Sequence, residues 1–430
     1  MSRPLAVGVA GLGTVGAGVL RVLRDNADVV AARAGRPVAV TAVSARERGR
    51  DRGISLAGLH WHEDPVALAA DPAVDCVVEL IGGSEGPARL LAEAAIAERK
   101  PVVTANKALL AVHGAALARA AEAAGVPLAY EAAVAGGVPV IKALREGLAG
   151  NRVRRVAGIL NGTCNYILTQ MGERGQEFAD ALREAQRLGY AEADPGFDVD
   201  GVDAAHKLAI LAALAFGRPV EFDAVHVEGI RGVSALDVAF ARELGYRIKL
   251  LGIATARAEG VEARVHPCMV AQSAPLARVD GVFNAVVAEG DFVGQVMLQG
   301  RGAGAGPTAS AVVADLIDLA RGRSTPVWGA SSGALSSLPA LPMGAHHGAY
   351  YLRLMVVDRP GVIAEVTAAL RDAGISLESM IQRGRSPGEA VPVVLVTHET
   401  SEAAMCRALD QIARLDTVME PPALIRIEPG

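Results

Sequence analysis

A glycine-rich turn between an apolar run and a helical pattern restricts the fold of this chain more than any other feature. Leu5–Ala10 is short, apolar and contains β-branched residues, which is typical of a buried parallel strand. Gly11-Leu12-Gly13-Thr14-Val15-Gly16 follows directly, and residues 17–23 repeat apolar positions with helical spacing. In this context the three glycines permit a tight turn, a close approach of backbone to a pyrophosphate, and close packing of helix on strand. The segment therefore predicts a dinucleotide-binding unit.

Apolar runs that alternate with helical patterns continue through the first third of the chain. These runs cover residues 38–43, 75–81, 101–104 and 126–130. Such alternation predicts an α/β fold with a doubly wound, parallel sheet. Ligands of these sheets bind at the carboxyl ends of the strands, so Lys107 and Glu131 are expected on the ligand side. A surface lysine that opens a helix is the alternative for Lys107.

A basic loop follows the second strand of this pattern. Sites for NAD usually carry an acidic residue here that binds the ribose hydroxyls, whereas this chain reads Ser44-Ala45-Arg46-Glu47-Arg48. A guanidinium at Arg46 suits the 2′-phosphate of NADP. We therefore expect NADP rather than NAD as the cofactor, and a solvated basic loop is the alternative interpretation.

Charge and a buried helix meet in residues 185–207. The last sixteen residues of this stretch hold five carboxylates and one lysine, and residues 208–216 are apolar on all sides. Helical spacing places Lys207, Asp203 and Asp200 on one face at the start of that helix. This pattern predicts a cleft in which a lysine handles a proton and carboxylates hold a cationic substrate. A salt-bridged helix start on the surface is the alternative.

Composition excludes several classes of protein. The net charge of −5 provides no basic field for a nucleic acid, and no apolar stretch reaches the roughly 18 residues of a membrane span. Glycines interrupt the apolar start of the chain, which argues against a signal peptide. The four cysteines are scattered, so we expect neither a disulfide framework nor a zinc site, and a cytoplasmic location.

The last part of the chain has a pattern of its own. Residues 322–348 are rich in glycine, serine and proline and have weak periodicity, which indicates a linker in which His346 and His347 are solvated. The elements predicted over residues 349–430 follow in the order βαββαβ. This order predicts a compact α/β module.

Several of these segments together resemble the homoserine dehydrogenase family. Residues 185–207 match every position of the family signature, from the glycine and aromatic at 189–190 to Lys207. Further similar segments are GLGTVG at 11–16, VVELIGG at 77–83, TANK at 104–107, EAAVAGGVP at 131–139 and GILNGTCNYIL at 158–168. The resemblance covers nearly the whole chain. The glycine motif starts at residue 11, so we expect a monofunctional enzyme with no kinase domain before it.

The resemblance implies specific roles for residues of the predicted cleft. Lys207 is similar to the family's general acid/base, and Lys107 to its other active-site lysine near cofactor and substrate. The substrate, L-homoserine or L-aspartate 4-semialdehyde, would be held by Glu192, Asp198, Asp203, Thr163 and Tyr190. Thr104 and Gly306 would lie near the cofactor, and the alternative for the glycines at 300–306 is a flexible linker.

The resemblance also implies a site for a monovalent cation, either sodium or potassium. One carboxylate and several backbone carbonyls would form an oxygen cage, which suits a hard cation. The matching residues are Glu131, Val134, Gly136 and Val138. An ordinary glycine turn after a strand is the alternative interpretation.

The final module resembles an ACT domain, for which the opening DRPGVIAEV at 358–366 is typical. Such modules pair and bind amino acids, so the resemblance implies threonine as the effector, with Asp358, Gly361 and Val362 at its site. Removal of residues 349–430 is then expected to abolish threonine inhibition and to leave activity. A structural dimerisation module that binds nothing is the alternative.

These expectations define a domain plan and a function. Residues 1–130, completed by 305–325, are expected to bind the dinucleotide. Residues 131–304 are expected to bind the substrate and to dimerise through an open sheet. A linker at 326–348 then leads to a regulatory domain at 349–430. We expect an NAD(P)-dependent homoserine dehydrogenase that is a homodimer or homotetramer. One alternative function is another amino-acid or hydroxy-compound dehydrogenase on the same scaffold. A sugar dehydrogenase, however, has no need for a cluster that binds an ammonium group. A non-catalytic amino-acid sensor should lack the two lysines.

Overall fold

A six-stranded parallel sheet forms the first part of the molecule. The computed structural model describes residues 3–383, 386 and 388–428. The strands lie in the order β3-β2-β1-β4-β5-β6, which confirms the predicted doubly wound sheet. Their bounds are β1 (Leu5–Ala10), β2 (Val38–Ser44), β3 (His60–His62), β4 (Cys76–Glu79), β5 (Val102–Thr104) and β6 (Leu128–Ala129).

Helices cover both faces of this sheet. The first five are α1 (Thr14–Asp25), α2 (Ala27–Ala34), α3 (Ala67–Ala70), α4 (Pro87–Ala97) and α5 (Lys107–Ala124). A much later helix, Ala305–Ala320, also packs here, because its Ala309 and Val312 share a buried core with Val7 and Val19. The chain therefore returns to the nucleotide sheet after residue 304.

The middle of the chain builds a second sheet that helices cover. Its strands are β7 (Val153–Ile159), β8 (His226–Val227), β9 (Tyr246–Ala256), β10 (Val261–Ala271), β11 (Phe283–Gly290) and β12 (Gly294–Arg301). The helices of this part are α6 (Val140–Lys142), α7 (Gly162–Arg174), α8 (Phe178–Arg187), α9 (Gly196–Val199), α10 (Val202–Phe216) and α11 (Ala235–Glu243). The helix after these strands, which returns to the nucleotide sheet, is α12 (Ala305–Ala320). In the part of the chain described, no helix is both long enough and apolar enough to cross a membrane.

The last part folds into the predicted βαββαβ module. Its elements are β13 (His347–Val357), α13 (Val362–Asp372), β14 (Leu377–Gln382), β15 (Ala390–Thr397), the short β16 (Thr400–Ser401), α14 (Glu402–Ile412) and β17 (Ala423–Glu428). Strand β17 pairs in parallel with β10, so one sheet runs through both parts in the order β12-β11-β7-β9-β10-β17-β13-β15-β14. The edge of the substrate sheet at β10 is therefore closed by the module rather than open.

Buried charged groups line the seam between β10 and β17. Arg426 donates two hydrogen bonds of 2.8 Å each to Glu228 and also bonds Glu402. Arg264, which is 3% exposed, pairs with Glu428. Because a buried charge without a partner is costly, these pairs fasten the module to the substrate sheet.

The segment before β13 is irregular and mostly exposed, but the expectation of solvated histidines there is wrong for His346. Trp328 is 1% exposed and its ring lies 5.4 Å from that of Tyr130. His346 is 4% exposed, with Nδ1 2.7 Å from a carboxylate oxygen of Glu262, whereas His347 is exposed at the start of β13. The buried carboxylate accounts for the difference, because it offers His346 a charged partner that composition does not reveal.

Candidate active site

Lys207 lies on the second turn of α10, and its side chain is only 11% exposed. Its Nζ donates to the carbonyl of Leu160 at 2.7 Å and to Asp203 Oδ2 at 2.7 Å. A lysine ammonium has three N–H donors, so one remains for a ligand. The i, i+4 spacing on α10 brings Asp203 and Lys207 together as the sequence predicts.

Lys107 reaches the same carboxylate from the nucleotide-binding part. It begins α5, and its Nζ lies 3.2 Å from Asp203 Oδ1. Burial alone would raise the pKa of the Asp203 carboxyl, but Lys207 and Lys107 together hold it well below its usual range. One charged carboxylate thus lies between two ammonium groups, one from α5 beside the nucleotide sheet and one from α10 beside the second sheet.

An amide that the sequence interpretation did not assign organises the two aspartates. Asn161 Nδ2 donates to Asp198 at 2.8 Å and to Asp203 at 2.9 Å, while its Oδ1 caps α7 by accepting from Cys164 N. Thr163 Oγ1 lies 3.1 Å from Asp198 Oδ2 and 2.8 Å from the carbonyl of Tyr190. The only sequence signal for Asn161 is its position before the helical pattern of α7, where asparagine is a favoured cap.

Other acidic residues of the 185–207 stretch lie outside this arrangement. Asp200 is exposed and pairs with Arg231, so its predicted place beside Lys207 is wrong. Gly201 has φ +85 and α10 starts at Val202, so helical spacing does not extend back to residue 200. Glu192 is exposed, and the ring of Tyr190 lies 4.9 Å from that of Tyr166.

The glycine turn after β1 has the geometry that a pyrophosphate needs. A Cβ added to Gly11 would lie 2.5 Å from the carbonyl of Leu80, and one added to Gly16 would lie 2.0 Å from that of Gly11. Gly13 is exposed, with nothing within 4 Å of an added Cβ. No side chain caps the N-terminus of α1, so the first N–H groups, those of Thr14, Val15 and Gly16 included, remain available to an anion.

The remaining residues assigned to the cofactor surround this turn in different ways. Arg46 is exposed in the loop after β2, and Arg52, which the sequence interpretation missed, donates to the carbonyl of Leu12 at 3.2 Å. Thr104 is fully buried, and its hydroxyl donates to Glu79 at 2.6 Å. Gly306 is exposed near the start of α12. Of these residues, Arg52 is the one that contacts the glycine turn directly.

The loop after β6 presents buried oxygen atoms. Burial, followed by repulsion from Asp315, raises the pKa of Glu131 to about 7. Val134 and Gly136 are buried, and within the described chain their carbonyls accept no hydrogen bond, whereas that of Val138 accepts one from Val140 N. Buried oxygens without donors are costly. They fit a cation cage.

A second group of possible ligands does not fit a metal. His266, Cys268 and Glu428 lie close enough together to share an ion. Both Glu428 oxygens, however, are already paired with Arg264 and Arg155. Burial raises the pKa of the Cys268 thiol well above its usual value, so the group is a protonated thiol among guanidinium ions.

The proposed effector residues line a cavity in the final module. The cavity has a volume of about 440 Å³ and is lined by residues 356–364 and Gln382. Gly361 has φ +100 and precedes α13, whose first turn starts at Val362. Asp358 Oδ2 accepts from Ser386 N at 2.8 Å, so this carboxylate is oriented at the rim.

Fold and site together define a nicotinamide-dependent oxidoreductase. A glycine turn of the dinucleotide type, two lysines that share one carboxylate, and a βαββαβ module belong to one chain. Comparison with known proteins gives the particular family. The family model described as homoserine dehydrogenase matches residues 139–317, its NAD-binding domain matches 11–131, and the ACT domain matches 350–414.

Relatives of known name agree over the whole chain. The homoserine dehydrogenase of Pseudomonas aeruginosa is 47% identical, with 99% of each chain covered. A crystal structure of a homoserine dehydrogenase from Thiobacillus denitrificans has a TM-score of 0.94 and 48% identity, with 99% of each chain covered. A hyperthermophilic archaeal homoserine dehydrogenase in complex with NADPH has a TM-score of 0.63 and 27% identity, covering 74% of this chain and 97% of its own. The chain belongs to the homoserine dehydrogenase family.

Proposed function

We propose that this chain interconverts L-homoserine and L-aspartate 4-semialdehyde with Lys207 as the proton-transferring group. The observation that carries the proposal is the placement of Asp203 between Lys207 and Lys107, at 2.7 and 3.2 Å. This arrangement keeps both ammonium groups at one point of the cleft. The nicotinamide ring of the cofactor supplies the hydride acceptor or donor.

The residues of the chain supply binding, orientation and the proton. The third N–H of Lys207 is available to the substrate oxygen. In the reductive direction the ammonium group donates a proton to that oxygen as the alcohol forms. In the oxidative direction the neutral amine accepts the proton. Asp198 and Glu192 offer carboxylates to the substrate ammonium, and Thr163 holds Asp198 in place.

An initial-rate assay of the purified protein with homoserine tests this function. We expect reduction of NADP, and oxidation of NADPH when aspartate 4-semialdehyde is supplied. Failure with homoserine together with turnover of another hydroxy compound would favour the alternative dehydrogenase. Comparison of NADP with NAD in the same assay tests the preference that we infer from Arg46.

We further propose that Glu131, Val134, Gly136 and Val138 hold a monovalent cation. The two buried carbonyls without donors support this site. A carboxyl whose pKa rises on folding stabilises the fold below its unfolded value, and this contribution is lost as the pH rises through about 7. Above that pH the charged Glu131 is destabilising unless a cation offsets it.

Sodium or potassium chloride should therefore raise the melting temperature more at pH 8.5 than at pH 6, relative to tetramethylammonium chloride. The expected difference is about 1–3 kcal/mol, or a few degrees. Scanning fluorimetry at matched ionic strength measures it. In the Glu131→Gln variant the difference between the two pH values should vanish, and an equal salt response at both pH values in the native chain would contradict the site.

We propose threonine as the effector of the ACT module. The start of α13 offers free N–H groups to a carboxylate, and Asp358 offers a partner to an ammonium. Contacts across the seam connect the module to the cleft. Arg426 of the module binds Glu228. Two residues after Glu228, the N–H of Ile230 donates to the carbonyl of Val199 in α9 at 2.8 Å. An amino acid bound in the module can therefore act on the helix start that carries Asp203.

Asp358→Asn should weaken threonine inhibition about tenfold or more and leave activity without threonine unchanged. The physical reason is loss of the charge that faces the threonine ammonium. Rates measured over a threonine titration check this, with Asp372→Asn, an exposed change at the far end of α13, as the control. Equal inhibition of both variants would place the effector elsewhere.

We propose a homodimer or homotetramer in the cytoplasm. Edge strand β12 is largely exposed, and the tip of its hairpin carries Phe292, which is 89% exposed. Such an edge and an apolar tip suit pairing with a second copy. The four free cysteines agree with a reducing compartment. Sedimentation velocity of the purified chain determines the number of copies.

A further inference from the structure

Lys107 has fewer partners than the other lysine of the cleft. Its side chain is 34% exposed, and its ammonium shares Asp203 with Lys207. Lys207 has in addition the carbonyl of Leu160. Holding a long, partly exposed side chain in one place costs rotamer entropy. The carboxylate that Lys107 shares with Lys207 offsets only part of this cost, so the position of the Lys107 ammonium needs a further contact.

That contact is the ring of Phe197. The Lys107 Nζ lies 5.7 Å from the centre of this ring, which is within the range of a cation–π interaction. Phe197 stands on the one-turn helix α9, immediately before Asp198. Phe197 is 44% exposed, whereas most phenylalanines in proteins are buried in the core.

The rings of Phe197, His206 and Phe222 pack one on the next and form an aromatic column. The ring of His206 lies 5.5 Å from that of Phe197, and the ring of Phe222 lies 4.3 Å from that of His206. His206 is 7% exposed and comes three residues after Asp203 on α10. The column therefore fixes the Phe197 ring relative to the carboxylate that Lys107 also contacts.

We propose that Phe197 is a positioning residue that holds the ammonium of Lys107 at the cleft, supported by His206 and Phe222. This inference rests on the proposed function only where turnover is its readout. Lys107 comes from the nucleotide sheet and Phe197 from the substrate domain, so the contact also sets how closely the two parts approach at the site. The attraction adds to the shared pairing with Asp203.

His206 takes part in this column as a neutral imidazole. Its Nδ1 is buried without a hydrogen-bond partner among the described residues, so a proton there would find no acceptor. The charged groups that act on the imidazole are Asp203, Lys107 and Lys207, and burial is the strongest influence that lowers its pKa. A neutral imidazole adds no third positive charge beside the two lysines.

Phe197→Leu and Phe197→Tyr test the proposal with two readouts. The chain has five lysines, at 100, 107, 142, 207 and 249, so reductive ¹³C-methylation gives few signals, and loss of one in Lys107→Arg assigns it. We expect the Lys107 signal to show a ring-current shift that is lost in the leucine variant and kept in the tyrosine variant. In the same variants kcat should fall two- to fivefold for leucine and stay near the native value for tyrosine, equivalent to about 0.5–1 kcal/mol. KM for NADP should stay constant.

Phe178→Leu is the matched control, because it removes a phenylalanine at the start of α8 that contacts neither Lys107 nor the proposed pairing surface. It should change neither the Lys107 signal nor kcat. The proposal is overturned if Phe197→Leu leaves the Lys107 signal in place, or if Phe197→Tyr shifts it as much as leucine does. A native chain that fails to turn over homoserine would refute the proposed function, while the Lys107 signal would still decide the position of the ammonium.

Discussion

Replacing Lys207 with alanine should lower kcat about a thousandfold and leave NADPH bound. The expected loss follows from removal of the group that moves the substrate proton, which contributes about 10²–10⁴ in rate. The cofactor site that we propose lies at the glycine turn after β1, within the matched NAD-binding domain, and does not include this side chain. Initial rates give kcat, and NADPH fluorescence on binding shows that the nucleotide site is intact.

Lys207→Arg separates proton transfer from charge. Arginine keeps a positive partner for Asp203 but cannot be deprotonated in a protein. We expect this variant to fold at least as well as the alanine variant and to be equally slow in homoserine oxidation. Activity close to native in either variant would refute the assigned role, and loss of NADPH binding would indicate general damage instead.

Deleting residues 349–430 should unfold the substrate domain rather than merely free it from regulation. The sequence predicts a separable module, but β17 is hydrogen-bonded to β10 along a shared sheet. Deletion removes Glu428 from Arg264 and Arg426 from Glu228, and it uncovers the edge of β10 that pairs with β17. Loss of soluble protein, or a fall in melting temperature of more than about 10 °C, is the expected result.

Arg426→Met tests the seam without removing the module. Methionine keeps apolar length but leaves Glu228 and Glu402 without their guanidinium, so a fall in stability of about 3–5 kcal/mol is expected. Arg407→Met, on the exposed face of α14, is the control and should be near neutral. Urea unfolding measures both, and a truncated chain that remains folded and active would contradict the role of the seam.

Local patterns made the nucleotide sheet and the lysine cleft predictable. Buried parallel strands appear in the sequence as continuous apolar runs, and Gly11 and Gly16 are required by contacts that leave no room for a Cβ. The i, i+4 spacing of Asp203 and Lys207 holds because both lie on α10. The same reasoning fails at Asp200, one residue before the glycine that precedes the helix.

Features that depend on distant parts of the chain were not predictable. Asn161 binds carboxylates that lie 37 and 42 residues later, and a lone amide gives no periodic signal. His346 looks like a linker residue until Glu262 is placed beside it. The pairing of β10 with β17 joins residues more than 150 positions apart, and neither strand carries a mark that names its neighbour.

The shared sheet has a consequence for engineering. A foreign sensor domain fused after residue 348 would leave the backbone groups of β10 that pair with β17 without partners and would remove Glu428 from Arg264 and Arg155. A working chimera must bring a terminal strand with its own glutamate and arginine in register. Single changes in the cavity lined by residues 356–364 are therefore a more accessible way to alter the proposed regulation than exchange of the whole tail.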